Sequence, residues 1–208
     1  RRSSPFVHQI ETAPQYNGIP LPGKRETGPG HPPAASQQSP APHRTPMTAP
    51  LFHLVLLNPE IPNNTGNIGR TAMATGCRLH LIHPIAFDLS EKACRRAGLD
   101  YWHKVDCAQH ESWEAFIANE RQKRLWLYTT RSTRPHWQED IQRGDYLLFG
   151  KETNDVPDAV HEWVAREYGE DHRITLPMVH DPAARSLNLA TAVCAAVYEG
   201  LRQIHTGR

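Results

Sequence analysis

No stretch of the 208-residue chain is apolar for long enough to cross a membrane or to serve as a signal peptide. Its 4 cysteines, Cys77, Cys94, Cys107 and Cys194, form no CxxC pair, which argues against a zinc ribbon or a disulfide framework and for a reduced, cytosolic protein. There is no HExxH, and the 13 histidines are scattered without a paired-ligand pattern, so each reads as a surface or core residue and no metal is expected. Nor is there an excess of either charge. With 23 Lys+Arg against 22 Asp+Glu the formal charge is +1, which speaks against a nucleic-acid binder that works by bulk charge.

Proline, by contrast, is plentiful and unevenly placed. Of 18 prolines, 11 fall in residues 1–50, too many for a helix or a central strand to run through. That segment is expected to be a disordered Pro-rich extension, and Met47, just before the first apolar run, marks a candidate true start. It also holds 5 of the basic and only 2 of the acidic side chains, which leaves the remaining 158 residues with 18 basic and 20 acidic ones, a formal −2. The part that folds, residues 51–208, is read as a single domain.

Within it, apolar runs alternate with helical periodicity. Strands are expected over 51–57, 78–83, 124–130, 145–149 and 173–178, and helices over about 67–75, 90–97, 112–122 and 158–166, with a closing helix from Ser186. Gly76 should end the first helix and Ser90 should cap the second. The closing helix sets Leu189, Val193, Val197, Leu201 and Ile204 on one side. Such alternation predicts an α/β domain with a largely parallel sheet.

Three polar motifs each lie just past a strand, the usual place for functional groups in open α/β folds. The first strand leads into Asn58-Pro59-Glu60-Ile61-Pro62-Asn63-Asn64-Thr65-Gly66-Asn67, which is neither GxGxxG nor a Walker A loop but is dense in amides and hydroxyls, with Arg70 close behind. Phe149-Gly150-Lys151-Glu152-Thr153 follows another strand. Arg185-Ser186-Leu187-Asn188-Leu189 opens the closing helix, with Ser186 placed to cap it and Asn188 one turn inside. Each alone has a bland structural reading; their joint occurrence is harder to dismiss.

Together with Arg95-Arg96-Ala97-Gly98-Leu99-Asp100-Tyr101, these motifs resemble the SPOUT superfamily of RNA methyltransferases, and most closely the small TrmL-type tRNA (cytidine/uridine-34 2′-O)-methyltransferases, over about residues 51–204. The resemblance implies a SPOUT-type parallel sheet with a C-terminal trefoil knot, an exception to the rule that chains avoid knots. It also implies a homodimer, S-adenosyl-L-methionine held in the knot, and a tRNA substrate methylated on the ribose of position 34. Carried over by motif, the cofactor contacts are Tyr128, Gly150, Leu176 and Ser186, mostly through backbone groups. Arg70 resembles the superfamily's essential arginine; Glu152 and Asn188 complete the catalytic set, and Asn67, Arg95 and Arg96 are the RNA-binding candidates. Rival readings are 2′-O-methylation at another tRNA or rRNA site and a catalytically silent RNA-binding protein of the same fold. The chain departs from the family pattern in its Pro-rich extension and after Glu152-Thr153, where the family often has a basic or small residue and then Gly-Leu-Pro and this chain has Asn154-Asp155-Val156-Pro157. Asp155 there limits backbone freedom and adds a negative charge beside the expected site.

Overall fold

Six short strands pair side by side in the order β3-β2-β1-β5-β4-β6, and every pairing is parallel. They are β1 His53–Leu57, β2 Arg78–Ile82, β3 Cys107–His110, β4 Leu125–Tyr128, β5 Tyr146–Phe149 and β6 Arg173–Ile174. The computed structural model describes residues 49–96, 99–120, 122–179 and 186–207, with the side chains at 91, 95 and 96 excepted. The extension over residues 1–48 lies outside the described residues.

Parallel strands need crossovers that cover both faces, so strand residues are apolar on both sides. Leu54, Leu56, Leu79, Leu81, Trp126, Tyr128, Leu147 and Phe149 point to one face, where helices α1 (Pro62–Thr75) and α5 (Leu189–Thr206) pack. Val55, Leu57, Ile82, Leu125, Leu127 and Leu148 point to the other, covered by α3 (Trp113–Asn119) and α4 (Asp158–Tyr168). The short α2 (Glu91–Arg96) lies between β2 and β3. The chain runs outward through β1, β2 and β3, then returns to β4 and inserts β5 beside β1. Such a reversal leaves a crevice at the strands' carboxyl ends.

Local signals set several boundaries as expected. Gly76 closes α1 in the left-handed region at φ 70°, and the Ser90 hydroxyl accepts a hydrogen bond from the Ala93 N–H. Three expectations need correction. The segment read as a polar loop up to Gly66 is largely helix, because α1 begins at Pro62, whose missing N–H and fixed φ suit a first helical position. A strand at Cys107–His110 was not anticipated; it has no apolar run because it forms the sheet edge. The strand expected over 173–178 shrinks to two residues plus a bridge at Thr175.

The stretch after α2 buttresses α1 from outside. A Cβ on Gly66 would stand 2.6 Å from Leu99 Cδ2, a contact a leucine can relieve by shifting, and one on Gly69 2.7 Å from Trp102 Cζ3, so the rigid indole makes Gly69 the position that requires glycine. The Tyr101 hydroxyl donates to the Gly66 carbonyl at 2.8 Å.

Candidate active site

Helix α1 has no capping side chain of its own: Ile61 holds the N-cap position and no acid occupies the first turn. The missing acceptor comes from the β5–α4 loop. Glu152 accepts from the backbone N–H of Glu60 at 2.8 Å, from that of Ile61 at 3.1 Å and from Asn64 Nδ2 at 3.1 Å. A carboxylate at a helix N-terminus both satisfies orphan donors and meets the positive end of the helix dipole. Glu60 answers in the opposite direction, accepting from Lys151 Nζ at 2.8 Å and from the Thr153 hydroxyl at 2.6 Å. The Lys151 hydrogen bond, with that of Thr153, holds the Glu60 carboxyl below the usual carboxylate range. The first two motifs are thus locked by reciprocal exchange.

The third joins them through an asparagine. Asn188 Nδ2 donates to Asn64 Oδ1 at 2.9 Å, and Asn64 passes the tie on to Glu152. The Asn188 Oδ1 also accepts from Ala190 N at 3.0 Å and Thr191 N at 3.3 Å, which makes Asn188 the N-cap of α5. This corrects the expectation that Ser186 caps the helix with Asn188 one turn inside. Asn64, 6% exposed, is the central member of this chain and was not singled out in the sequence. Its signal was there: two consecutive asparagines in a first helical turn fit poorly unless their amides find partners.

Beside this network, at the carboxyl ends of β4 and β5, opens a cavity of about 580 Å³. Of the expected site residues it is lined by Tyr128, Gly150, Glu152, Leu176 and Ser186. Leu176, Met178, Leu187 and Leu189 supply apolar wall, while Thr129, Thr130 and Thr153 add hydroxyls. The Tyr128 ring is spent in the core, stacked on Phe149 with centroids 4.8 Å apart, and burial pushes its hydroxyl pKa well up. Gly150 sits where the loop folds back on itself: a Cβ there would lie 2.9 Å from the Val156 nitrogen. The remaining candidates are elsewhere. Asn188 stands between the lining residues Leu187 and Leu189 without lining the cavity itself. Arg70 and Asn67 are exposed on α1, one turn apart, and the Arg70 guanidinium lies 4.6 Å above the Tyr101 ring. Arg95 and Arg96 end α2, but their side chains lie outside the described residues.

One cluster far from these motifs escaped the sequence. His53, His80 and Glu120 bring donor atoms within 4.8 Å of one another, a group able in principle to hold a metal ion. The imidazoles are already paired with each other. His53 Nδ1 lies 2.9 Å from His80 Nε2, and His80 Nδ1 lies 3.0 Å from His110 Nε2, with ring centroids 5.1 and 5.3 Å apart, the spacing of in-line hydrogen bonds. Burial, then the neighbouring histidines, drive the His80 pKa down to about 2, so the ring is neutral.

Residues 51–198 match the model of the SpoU rRNA Methylase family. A protein of Saccharophagus degradans named tRNA (cytidine(34)-2′-O)-methyltransferase is 44% identical over 154 residues, which cover 74% of this chain and 96% of that one. A solved structure concerned with 2-OH methylation of C/U34 on tRNA superposes with TM-score 0.64 at 43% identity, covering 74% of this chain and 91% of the other. The SpoU methyltransferase AviRb from Streptomyces viridochromogenes, solved in complex with AdoMet, shares the fold at TM-score 0.63 and 22% identity, covering 80% of this chain and 66% of AviRb.

Proposed function

The chain belongs to the SpoU rRNA methylase family, and from that membership we propose that it methylates the ribose 2′-hydroxyl of the wobble nucleotide, position 34, of tRNA with S-adenosyl-L-methionine. The observation that carries the reading is the Glu152–Asn64–Asn188 chain, which draws three separate motifs to one edge of a cavity. The relatives at 44% and 43% identity, concerned with the same ribose of tRNA, support the choice of substrate.

The cavity suits the cofactor. Its volume falls within the ordinary range for small-molecule sites, and its walls mix apolar side chains with hydroxyls and loop backbone, as an adenosine joined to a charged amino acid requires. Tyr128, Gly150, Leu176 and Ser186 are assigned to hold it, largely through main-chain groups. When bound, it supplies an electrophilic methyl group, so the protein's task is to orient the ribose hydroxyl and relieve it of its proton. A guanidinium keeps its own proton across the physiological range; Arg70 is therefore assigned to bind an RNA phosphate and to stabilise charge. Glu152 and Asn188 hold the motifs in register, and Asn67, Arg95 and Arg96 contribute RNA contacts. The reaction calls for no metal.

The trefoil knot, the homodimer and the cytoplasmic location belong to the same proposal. Support for a knot is the cavity itself, walled by the loop after β5 together with Thr175, Leu176 and Met178 on one side of the chain's return and Ser186, Leu187 and Leu189 on the other. Support for a homodimer is the presence of large apolar side chains left exposed on or beside the paired helices α1 and α5: Ile61 43%, Met73 42%, Leu187 43% and Tyr198 57%. A dimer would also double the few cations of a formally acidic domain. Among the described residues no helix is long and apolar enough to cross a membrane.

The test is incubation of bulk tRNA with the protein and methyl-labelled cofactor, then nucleoside mass spectrometry and mapping. Label in 2′-O-methylcytidine or 2′-O-methyluridine at position 34 is the expected result. Label elsewhere would favour the rival site, and none at all the non-catalytic reading.

A further inference from the structure

We propose that Asp155 is a positioning residue that clamps the two walls of the cavity together and thereby sets cofactor affinity, an inference resting on the functional reading above. Asp155 occupies the place where the resembled family often has glycine, and by charge alone it looks out of place beside a site for RNA. The structure gives that carboxylate an internal use. Its Oδ2 accepts from the Thr129 hydroxyl in a short hydrogen bond, and from His161 Nε2 at 3.2 Å, with Arg131 Nε at 3.4 Å. Its Oδ1 accepts from the Val156 N–H at 2.8 Å. Thr129 and His161 are themselves buried.

The geometry of these partners defines the clamp. Thr129 lies just past β4, on one wall; Asp155 lies in the loop after β5, on the other, and both line the cavity. His161 belongs to α4, so the same carboxylate also fixes the loop to the helix that follows. Through Val156 N the carboxylate orders the backbone that closes over Gly150, where only 2.9 Å separates that nitrogen from the place of a Cβ. Arg131 pairs with Asp155 and also with Asp158 at the exposed start of α4, so its single positive charge is shared between two carboxylates. A glycine loop would reach this conformation at greater entropic cost and would leave Thr129 without its acceptor. The Asp155 carboxylate is thus spent on internal donors, and it is assigned to position the walls, not to touch a reacting atom.

The test uses the full chain and the variants Asp155→Ala, Asp155→Asn and Thr129→Val, with cofactor binding measured by calorimetry and tRNA methylation by label transfer. Asp155→Ala and Thr129→Val should each weaken S-adenosylmethionine about tenfold, raise its KM in parallel and change kcat at saturating cofactor far less. The double variant should be no worse than Asp155→Ala alone, since the Thr129 tie is already cut there. Asp155→Asn keeps one acceptor oxygen where Asp155 uses two, for Thr129 and for Val156, and should therefore recover only part of the affinity. Amide exchange without cofactor is read on the same proteins and should accelerate in residues 150–157, and in Thr129→Val also at Arg131, whose N–H loses its acceptor, with the rest of the domain unchanged. Affinity within twofold of wild type in Asp155→Ala, or acceleration spread over the whole domain, would overturn the clamp. Wild-type protein that binds no S-adenosylmethionine would overturn the functional reading instead, while the exchange experiment would still decide the clamp.

Discussion

Asn188 donates to Asn64 across 2.9 Å and 124 residues of chain, while its own side-chain oxygen caps the helix it begins. One side chain therefore terminates α5 and ties it to α1. The cap is made with the adjacent Ala190 and Thr191, but the tie is invisible from the residues next to it. The consequence is that the cavity's edges move as one unit: a change at Asn188 reaches Glu152 through a single intermediate, Asn64.

Asn188→Ala should lower unfolding stability by about 1–2 kcal/mol, the sum of a lost cap and an orphaned amide. Asn64→Ala should cost a similar amount, and the pair together less than the two added. Urea denaturation of both single variants and the double gives the coupling; strict additivity would show that the tie carries no energy.

Glu152→Ala leaves two backbone N–H groups and an amide without their acceptor, and should cost about 2 kcal/mol, the range for hydrogen bonds to a charged group. Methyl transfer should fall with it, because the first motif loses its anchor. Glu152→Gln keeps one acceptor oxygen and should recover part of the stability in the same urea titration.

Arg70→Ala should retain cofactor binding and lose transfer to tRNA by two orders of magnitude or more, since the arginine lies on α1 outside the cavity lining. Calorimetry and label transfer measured side by side check the split. Wild-type turnover in the variant would remove Arg70 from the mechanism.

The histidine chain makes stability depend on pH. Burial, the leading cause in each, depresses the folded pKa of His53, His80 and His110, with Arg78 acting in the same direction and Glu120 opposing it at His53 and His110. A histidine whose folded pKa lies below its unfolded one contributes fully above the unfolded value near 6.5 and loses that contribution as pH falls below it. For His80 alone the loss between about pH 7.5 and 5.5 is about 1.4 kcal/mol, a limit set by the unfolded state. Urea unfolding at the two pH values should show at least this drop, and His80→Gln should flatten it.

Gly69→Ala should destabilise by about 1–3 kcal/mol through collision with the rigid Trp102 ring, whereas Gly66→Ala should cost less, since it meets only the flexible end of Leu99 and gains helix propensity. Thermal melting checks the order of magnitude. Gly76, which meets nothing within 4 Å, would suffer only from its left-handed backbone.

Alternating apolar runs and helical periodicity were enough to read an α/β domain with a parallel sheet, because a strand buried on both faces must be apolar throughout and its crossover helix must be amphipathic. Gly76 and Ser90 marked helix ends from within a few residues, since capping is a local transaction. The motifs themselves were legible in the same way, each being a short polar run directly after a strand. What folding alone decided lies in contacts between residues far apart in the chain. Cys107–His110 becomes a strand only because β2 offers it an edge, and the chain entering α1, which starts at Pro62, is held by Glu152 through the N–H groups of Glu60 and Ile61. Histidines read one by one as core or surface prove to be a hydrogen-bonded row, as neighbouring parallel strands carry them to the same face. Asp155, suspect on charge, is satisfied by Thr129 and His161 once the loop closes. Propensity and periodicity register neighbours a turn or two away; the partner of a buried amide or carboxylate is settled by whichever strand end or helix start the fold brings alongside it.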